Sequence, residues 1–271
     1  MKKIYFGGGA WSSSFFIGVI KSLEEKYGKE LNKKFIFGGV SIGAYFALLL
    51  TLGYDYKKAK NIFCELSNKA NKDGIFNFYK NSEYHNNMLS KVLIDEDAYK
   101  ICEKRNLEIG ISRCFDKHEI YRKWTSNEDL KKCIHASLHV PFYCKYQGYY
   151  DNEIAFDGGF FLDNDVLKKY DITIGRGDYY DINMSPTLNE ILFPHDKFKL
   201  ELFLLDGYNK TTIIDIEKID KKNRKTINKK SFLMYFIIHY FVLIEIFFYV
   251  IYNFNYLPLQ FLTLDYFQMS I

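Results

Sequence analysis

Residues 34–50 read KFIFGGVSIGAYFALLL. Lys34–Gly38 is a short run rich in Phe and Ile, suited to a strand. Gly39-Val40-Ser41-Ile42-Gly43 is a G-x-S-x-G pentapeptide. Ala44–Leu52 is made of strong helix formers, and Gly53 stands where a helix stops. The order is strand, sharp turn, helix. A serine on such a turn is held under strain with its Oγ projecting, and Gly39 and Gly43 let the turn close without Cβ clashes. The N-terminus of the next helix points free N–H groups at the charge that develops on an attacked carbonyl. The bland alternative is a glycine-rich corner whose serine caps a helix.

Upstream, Lys2–Phe6 reads as the first strand, followed at once by Gly7-Gly8-Gly9. Ser13–Tyr27 is helical, with Phe16, Val19, Ile20 and Leu23 on one face and Gly28 at its end. A glycine run between strand and helix presents successive N–H groups as an anion nest. It is neither a dinucleotide fingerprint nor a P-loop, because no Gly-Lys-Ser/Thr follows.

Downstream, Asp55–Asn68 reads as a helix and Lys69–Glu83 as irregular. Asn86–Arg105 is helical with a break at Asp95-Glu96-Asp97. Leu107–Phe115 and Glu119–Thr125 form a hairpin about Asp116-Lys117-His118. Ser126–Asp129 caps a helix that runs to Leu138, and Pro141 follows it. Tyr149–Phe156 is one strand ending in Asp157-Gly158-Gly159. Asp171–Gly175 and Lys199–Leu205 are further elements, each open between strand and helix. A strand–helix–strand–helix opening implies an α/β fold with a mainly parallel central sheet flanked by helices. Both special turns then lie at the carboxyl ends of strands, where α/β sites belong.

The 271 residues suffice for one large domain plus an appendage. A net charge of +4 points to no nucleic-acid partner. Five cysteines, odd in number and without a C-x-x-C pair, imply reduced thiols and no zinc site. The amino-terminal MKKIYFGGG is too short for a signal peptide, so the expectation is an intracellular, unsecreted chain.

Ser41 needs a base. The six histidines, at 85, 118, 135, 139, 195 and 239, have no strand-end context. His135 and His139 stand at i, i+4 but have no third ligand, so no metal is expected. Asp157 ends a β run before two glycines that permit close approach. A partly desolvated carboxylate bonded to the hydroxyl can take its proton. On its own the motif is also an ordinary turn aspartate.

The order Gly7-Gly8-Gly9, Gly39-x-Ser41-x-Gly43, Asp157-Gly158-Gly159 resembles the patatin-like phospholipase family. Ala136-Ser137-Leu138-His139-Val140-Pro141 and Asp157–Asn164 resemble two further family segments. Pro141–Cys144, Met88–Tyr99 and Glu201–Thr211 look most like the adipose triglyceride lipase and adiponutrin branch. The resemblance spans roughly residues 2–212. Trp11-Ser12-Ser13-Ser14 departs from the Arg or Lys and Gly usual after the glycine loop, and Asn164-Asp165-Val166 replaces Asn-Leu-Pro.

The resemblance implies a patatin-like three-layer fold and a lipid acyl hydrolase. Ser41 is then the nucleophile and Asp157 the base of a dyad. Gly39 and Gly43 form the elbow, and the oxyanion site falls to Gly7, Gly8, Gly9 and Ile42. No cofactor is implied. The partner is a phospholipid or acylglycerol in a membrane or lipid-droplet surface. The rival reading is an inactive lipid-binding scaffold that keeps the fold.

The expected domain is 1–212, followed by a basic linker, 213–230, and a hydrophobic membrane-associating tail, 231–271. Lys218–Lys230 carries seven basic residues, and Phe232–Tyr252 has no Pro or Gly over a bilayer-spanning length. Tyr235, His239, Glu245, Tyr249 and Tyr252 form a polar stripe on it. The stretch is either a helix docked on the domain or a C-terminal membrane helix, with the basic cluster against a cytoplasmic leaflet.

Overall fold

The computed structural model describes residues 1–74, 80–113, 117–141, 143–144, 148–219, 221 and 224–227. They lie in one compact unit, Met1–Ile227.

Strands β1 (Lys2–Phe6) and β2 (Phe35–Gly39) pair in parallel, as do β2 with β3 (Glu108–Arg113), β1 with β7 (Ile172–Arg176) and β7 with β8 (Ile182–Met184). The other edge is antiparallel: β4 (His118–Tyr121) and β6 (Glu153–Phe156) pair with β3, and β5 (Tyr149–Tyr150) with β6. The stretch expected as one strand at 149–156 is therefore a hairpin. Asp151 and Asn152, with φ of 54° and 59°, form a two-residue turn that Asx side chains tolerate.

Strand alternation puts Ile4 and Phe6 into a large core on one face and Tyr5 into a smaller one on the other. Helices α1 (Ser14–Tyr27), α2 (Ile42–Thr51) and α3 (Tyr56–Lys72) contribute to the large core. The break expected at 95–97 widens to separate α4 (Asn81–Ser90) from α5 (Ala98–Lys104). Helix α6 (Asn127–Ser137) starts at Ser126, whose hydroxyl accepts from Asp129 N–H at 3.1 Å. Helix α7 (Asn164–Lys168) packs on the smaller core through Val166 and Leu167. Two helices complete the unit: α8 (Leu188–Leu192), with a Thr187/Glu190 capping box, and α9 (Lys197–Ile213). Helices α1 and α9 cross backbone to backbone. A Cβ on Gly18 would come within 1.9 Å of Leu204 O, and one on Gly207 within 2.1 Å of Phe15 O.

Within the stretch expected as a basic linker, 213–230, the described residues Arg224 and Ile227 are tied to the domain. The Arg224 guanidinium pairs with Asp181 at 2.7 Å and donates to the carbonyls of Leu167, Tyr170 and Asp171. Ile227 N–H donates to Asn164 Oδ1 at 2.7 Å. Among the described residues no helix is long and apolar enough to cross a membrane. The expected helix at Phe232–Tyr252 lies outside the described residues.

Candidate active site

Two strands meet head-on beside β3. β2 runs along it as far as the Gly39–Ile109 pair, and β6 arrives from the opposite direction at the Phe156–Ser112 pair. The loops leaving β2 and β6 therefore face each other over Gly110. Their closeness is tight: a Cβ on Gly158 would meet Gly110 O at 2.3 Å and Val40 Cγ1 at 2.5 Å. Thus sheet topology brings the Ser41 turn and the Asp157 turn together.

Ser41 sits at φ 56° and ψ −140°, directly before α2. Val40 N–H donates to Phe6 O at 3.1 Å, and Gly43 N–H returns to Val40 O at 2.9 Å. A Cβ on Gly43 would stand 2.2 Å from Phe6 O, and one on Gly39 2.6 Å from Gly43 C. Only glycine closes this turn. Five described non-glycine residues have positive φ; three are Asn or Asp, and the other two, Ala10 (φ 43°) and Ser41, both line one cavity.

Ser137 ties the parts together. Ser41 N–H is shared between Ser137 Oγ (3.0 Å) and Ser137 O (3.1 Å). Ser137 Oγ–H donates to Gly110 O at 2.7 Å, and Gly158 N–H donates to Ser137 O at 3.1 Å. Asp157 is buried; its N–H donates to His139 O at 2.6 Å, and its Oδ1 accepts Gly159 N–H at 2.8 Å. Burial first, then Tyr180, Tyr170 and Asp157, raises the Tyr5 hydroxyl well above its ordinary pKa, keeping it neutral on the smaller-core side of the sheet.

The glycine loop lies against Ser41. A Cβ on Gly8 would be 3.4 Å from Ser41 Cβ and 3.8 Å from Oγ. Gly7 N–H donates to Ile174 O at 2.7 Å and so is held in the sheet, unlike the expected oxyanion donor. The N–H groups of Gly8, Gly9 and Ile42 have no hydrogen-bond partner among the described residues. Ser12 fixes the loop from behind: its N–H and hydroxyl both donate to Gly9 O, at 3.0 and 2.5 Å. Trp11 is buried, and its indole N–H donates to Tyr143 Oη at 3.1 Å.

Ser41, Ile42 and Asp157 line a cavity of about 50 Å³ with Trp11, Phe63, Leu66, Tyr84, Met88 and Tyr143 among its walls. That volume is small and its walls are mostly apolar. Asn81 and His85, one turn apart on α4, add polar groups to the wall. The sequence reading missed Asn81 and set His85 aside with the other histidines. Nothing in their local pattern signals a site, because α4 reaches the cavity only through the tertiary fold.

The other histidines diverge. His135 Nε2 bonds Asn86 Oδ1 at 3.0 Å, whereas the His139 ring lies against Phe156. Among the described residues no group of three or more His, Cys, Asp or Glu is arranged to hold a metal.

Comparison with known proteins adds a family. The Mimivirus uncharacterized protein R571 is 22% identical over 66% of this chain and 62% of its own length. The human and mouse omega-hydroxyceramide transacylases are each 26% identical, over 52% and 58% of this chain and 27% of their own lengths. The chain thus spans less than two thirds of the relatives it matches. The crystal structure of VipD from Legionella pneumophila superposes with a TM-score of 0.43 and 13% identity, covering 78% of this chain and 66% of VipD. The sequence profile for patatin-like phospholipase matches residues 4–168, from β1 through the Asp157 turn to α7. The chain belongs to the patatin-like phospholipase family.

Proposed function

We propose that the protein is a serine lipid acyl hydrolase acting through Ser41 and Asp157. The carrying observation is that the strained Ser41 and the buried Asp157 open on one largely apolar cavity, with Gly8 packed against Ser41.

In this mechanism Asp157 takes the hydroxyl proton as Ser41 Oγ attacks the ester carbonyl. The N–H groups of Gly8, Gly9 and Ile42 hold the oxyanion in a site that excludes water, where such bonds count most. Asp157 returns the proton to the departing alkoxide, leaving an acyl-Ser41 ester. Water then attacks, giving its proton to Asp157, and the fatty acid leaves as Ser41 recovers the proton. Phospholipid is the first substrate class and neutral acylglycerol the second. A hydroxylated lipid in place of water would give acyl transfer, a second reading favoured by the transacylase relatives. Membrane or droplet association follows from such substrates, and the apolar 231–271 segment is proposed as the anchor.

The test is a lipid panel assayed for released fatty acid, with and without an added lipid alcohol. Hydrolysis by the wild type and its loss in Ser41→Ala support the reading. A panel left untouched would favour the inactive scaffold.

A further inference from the structure

Helix α9 is apolar on two opposite faces. Leu200, Phe203 and Leu204 turn inward, with Gly207 crossing α1. The outer face carries Phe198 (73% exposed), Leu202 (49%), Leu205 (52%) and Ile213 (82%). The spacing of 198, 202 and 205 puts them in one stripe. A helix on a soluble surface keeps its outer face polar. Nine large apolar side chains are exposed among the described residues, and six of them fall between 188 and 213, with Leu188 and Phe193 at α8. On α9 this is an ordered stripe, not the single scattered residues that every surface shows.

Helix α8 is tied to the cavity wall. Tyr143, which lines the cavity, donates its hydroxyl to Leu192 O at 2.9 Å, next to Phe193. The start of α9 is bound at the same wall. His195 O accepts from Ser67 Oγ at 2.8 Å, in the residue after the lining Leu66, and from Asn71 Nδ2 at 2.7 Å, one turn beyond Ser67 on α3. Most charges on the flanks of α9 are paired: Lys60 with Glu201 at 2.6 Å, Lys199 with Glu190 at 3.0 Å and Lys210 with Asp206 at 3.0 Å, and the exposed Lys197 stands next to the exposed Asp196 so that the two cancel in net charge.

We propose that the α8–α9 face is the docking surface for an electrically neutral, zwitterionic phospholipid bilayer. The proposal rests on the lipid-hydrolase reading: a substrate held in a lipid surface must enter the cavity from the side pressed against that surface. The paired flanks remove the electrostatic attraction that an anionic leaflet needs, so binding through this face is driven by apolar burial and resists salt.

The test uses the full chain carrying Phe198→Trp, with the emission of the wild type subtracted. Phosphatidylcholine vesicles with brominated acyl chains should quench the introduced indole, equally at low salt and at 0.5 M NaCl. Adding Leu202→Asp and Leu205→Asp should cut that quenching at least tenfold while leaving hydrolysis of a short soluble ester within twofold. Vesicle-bound protein whose introduced indole stays unquenched would overturn the proposal. So would an indole at this position shielded from aqueous iodide before lipid is added. Shielding at every concentration would mean that residues 228–271 cover the stripe, and shielding that grows with concentration would mean a second copy does. Quenching by a protein that hydrolyses no ester would uphold the face and remove the hydrolase reading, so the two fail separately.

Discussion

Ser41 N–H bonds both oxygens of Ser137, Oγ at 3.0 Å and the carbonyl at 3.1 Å, so the strained turn is held from a residue 96 positions away. Ser137 Oγ also donates to Gly110 O, and its carbonyl accepts Gly158 N–H. One buried serine thus links the β2 turn, β3 and the β6 turn. Ser137→Ala leaves Gly110 O without its side-chain donor and weakens the hold on Ser41. We predict a loss of about 1–3 kcal/mol in unfolding free energy. A drop in kcat with little change in KM should accompany it. Chemical denaturation and steady-state kinetics check both, and a variant as stable and active as the wild type would remove Ser137 from the account.

Asp157 carries the proton in the proposed mechanism. Asp157→Asn should lower kcat by about 10²–10⁴ while KM for a soluble ester stays near the wild-type value. Activity within tenfold of the wild type would mean another base.

Histidine is the rival base, and His85 is the histidine that lines the cavity. With Asp157 as base, His85→Gln, His135→Gln and His139→Gln should each keep activity within about tenfold, provided circular dichroism shows them folded. Collapse in a folded His85 variant would point to a histidine mechanism.

Legibility in the sequence followed locality. The Lys2–Phe6 strand and the turns at Gly7 and Ser41 announce themselves through consecutive residues, and the structure has them within two residues. The Asp151-Asn152 turn was hidden because Tyr149–Phe156 reads as one aromatic and apolar run. The β3–β4 hairpin was legible from its turn, but the pairing of β6 with β3 was missed, since placing β2 and β6 on one side of the same strand is a tertiary choice with no local mark. The cavity wall from α4, and Ser137 as a hub, belong to the same class: their roles exist only once distant segments meet.

Glu24 offers a pH test remote from the site. Burial outweighs the bond from Tyr56 N–H (2.6 Å) and raises its pKa from 4.5 to about 7. The folded state holds this proton more tightly than the unfolded chain. Its stabilising contribution is therefore full below about 4.5 and is lost as pH rises through about 7. Glu24→Gln should raise Tm at pH 8 and change it little at pH 4.5. An equal shift at both values would contradict the assignment.

The proposed membrane anchor is tested by ending the chain after Ile227, which retains the Arg224–Asp181 pair and the Ile227–Asn164 bond. Membrane flotation should fall, and soluble-ester hydrolysis should persist. Insoluble, inactive truncated protein, beside full-length protein soluble without detergent, would mean that residues 228–271 cover the domain instead.

The central claim is an activated Ser41. Reaction with a fluorophosphonate probe, with the adduct located by peptide mass spectrometry, tests it most directly. The account predicts one phosphonylated residue, Ser41, with labelling absent in Ser41→Ala and slowed at least 100-fold in Asp157→Asn. A folded wild-type protein that stays unlabelled, or an adduct that persists in Ser41→Ala, would contradict it.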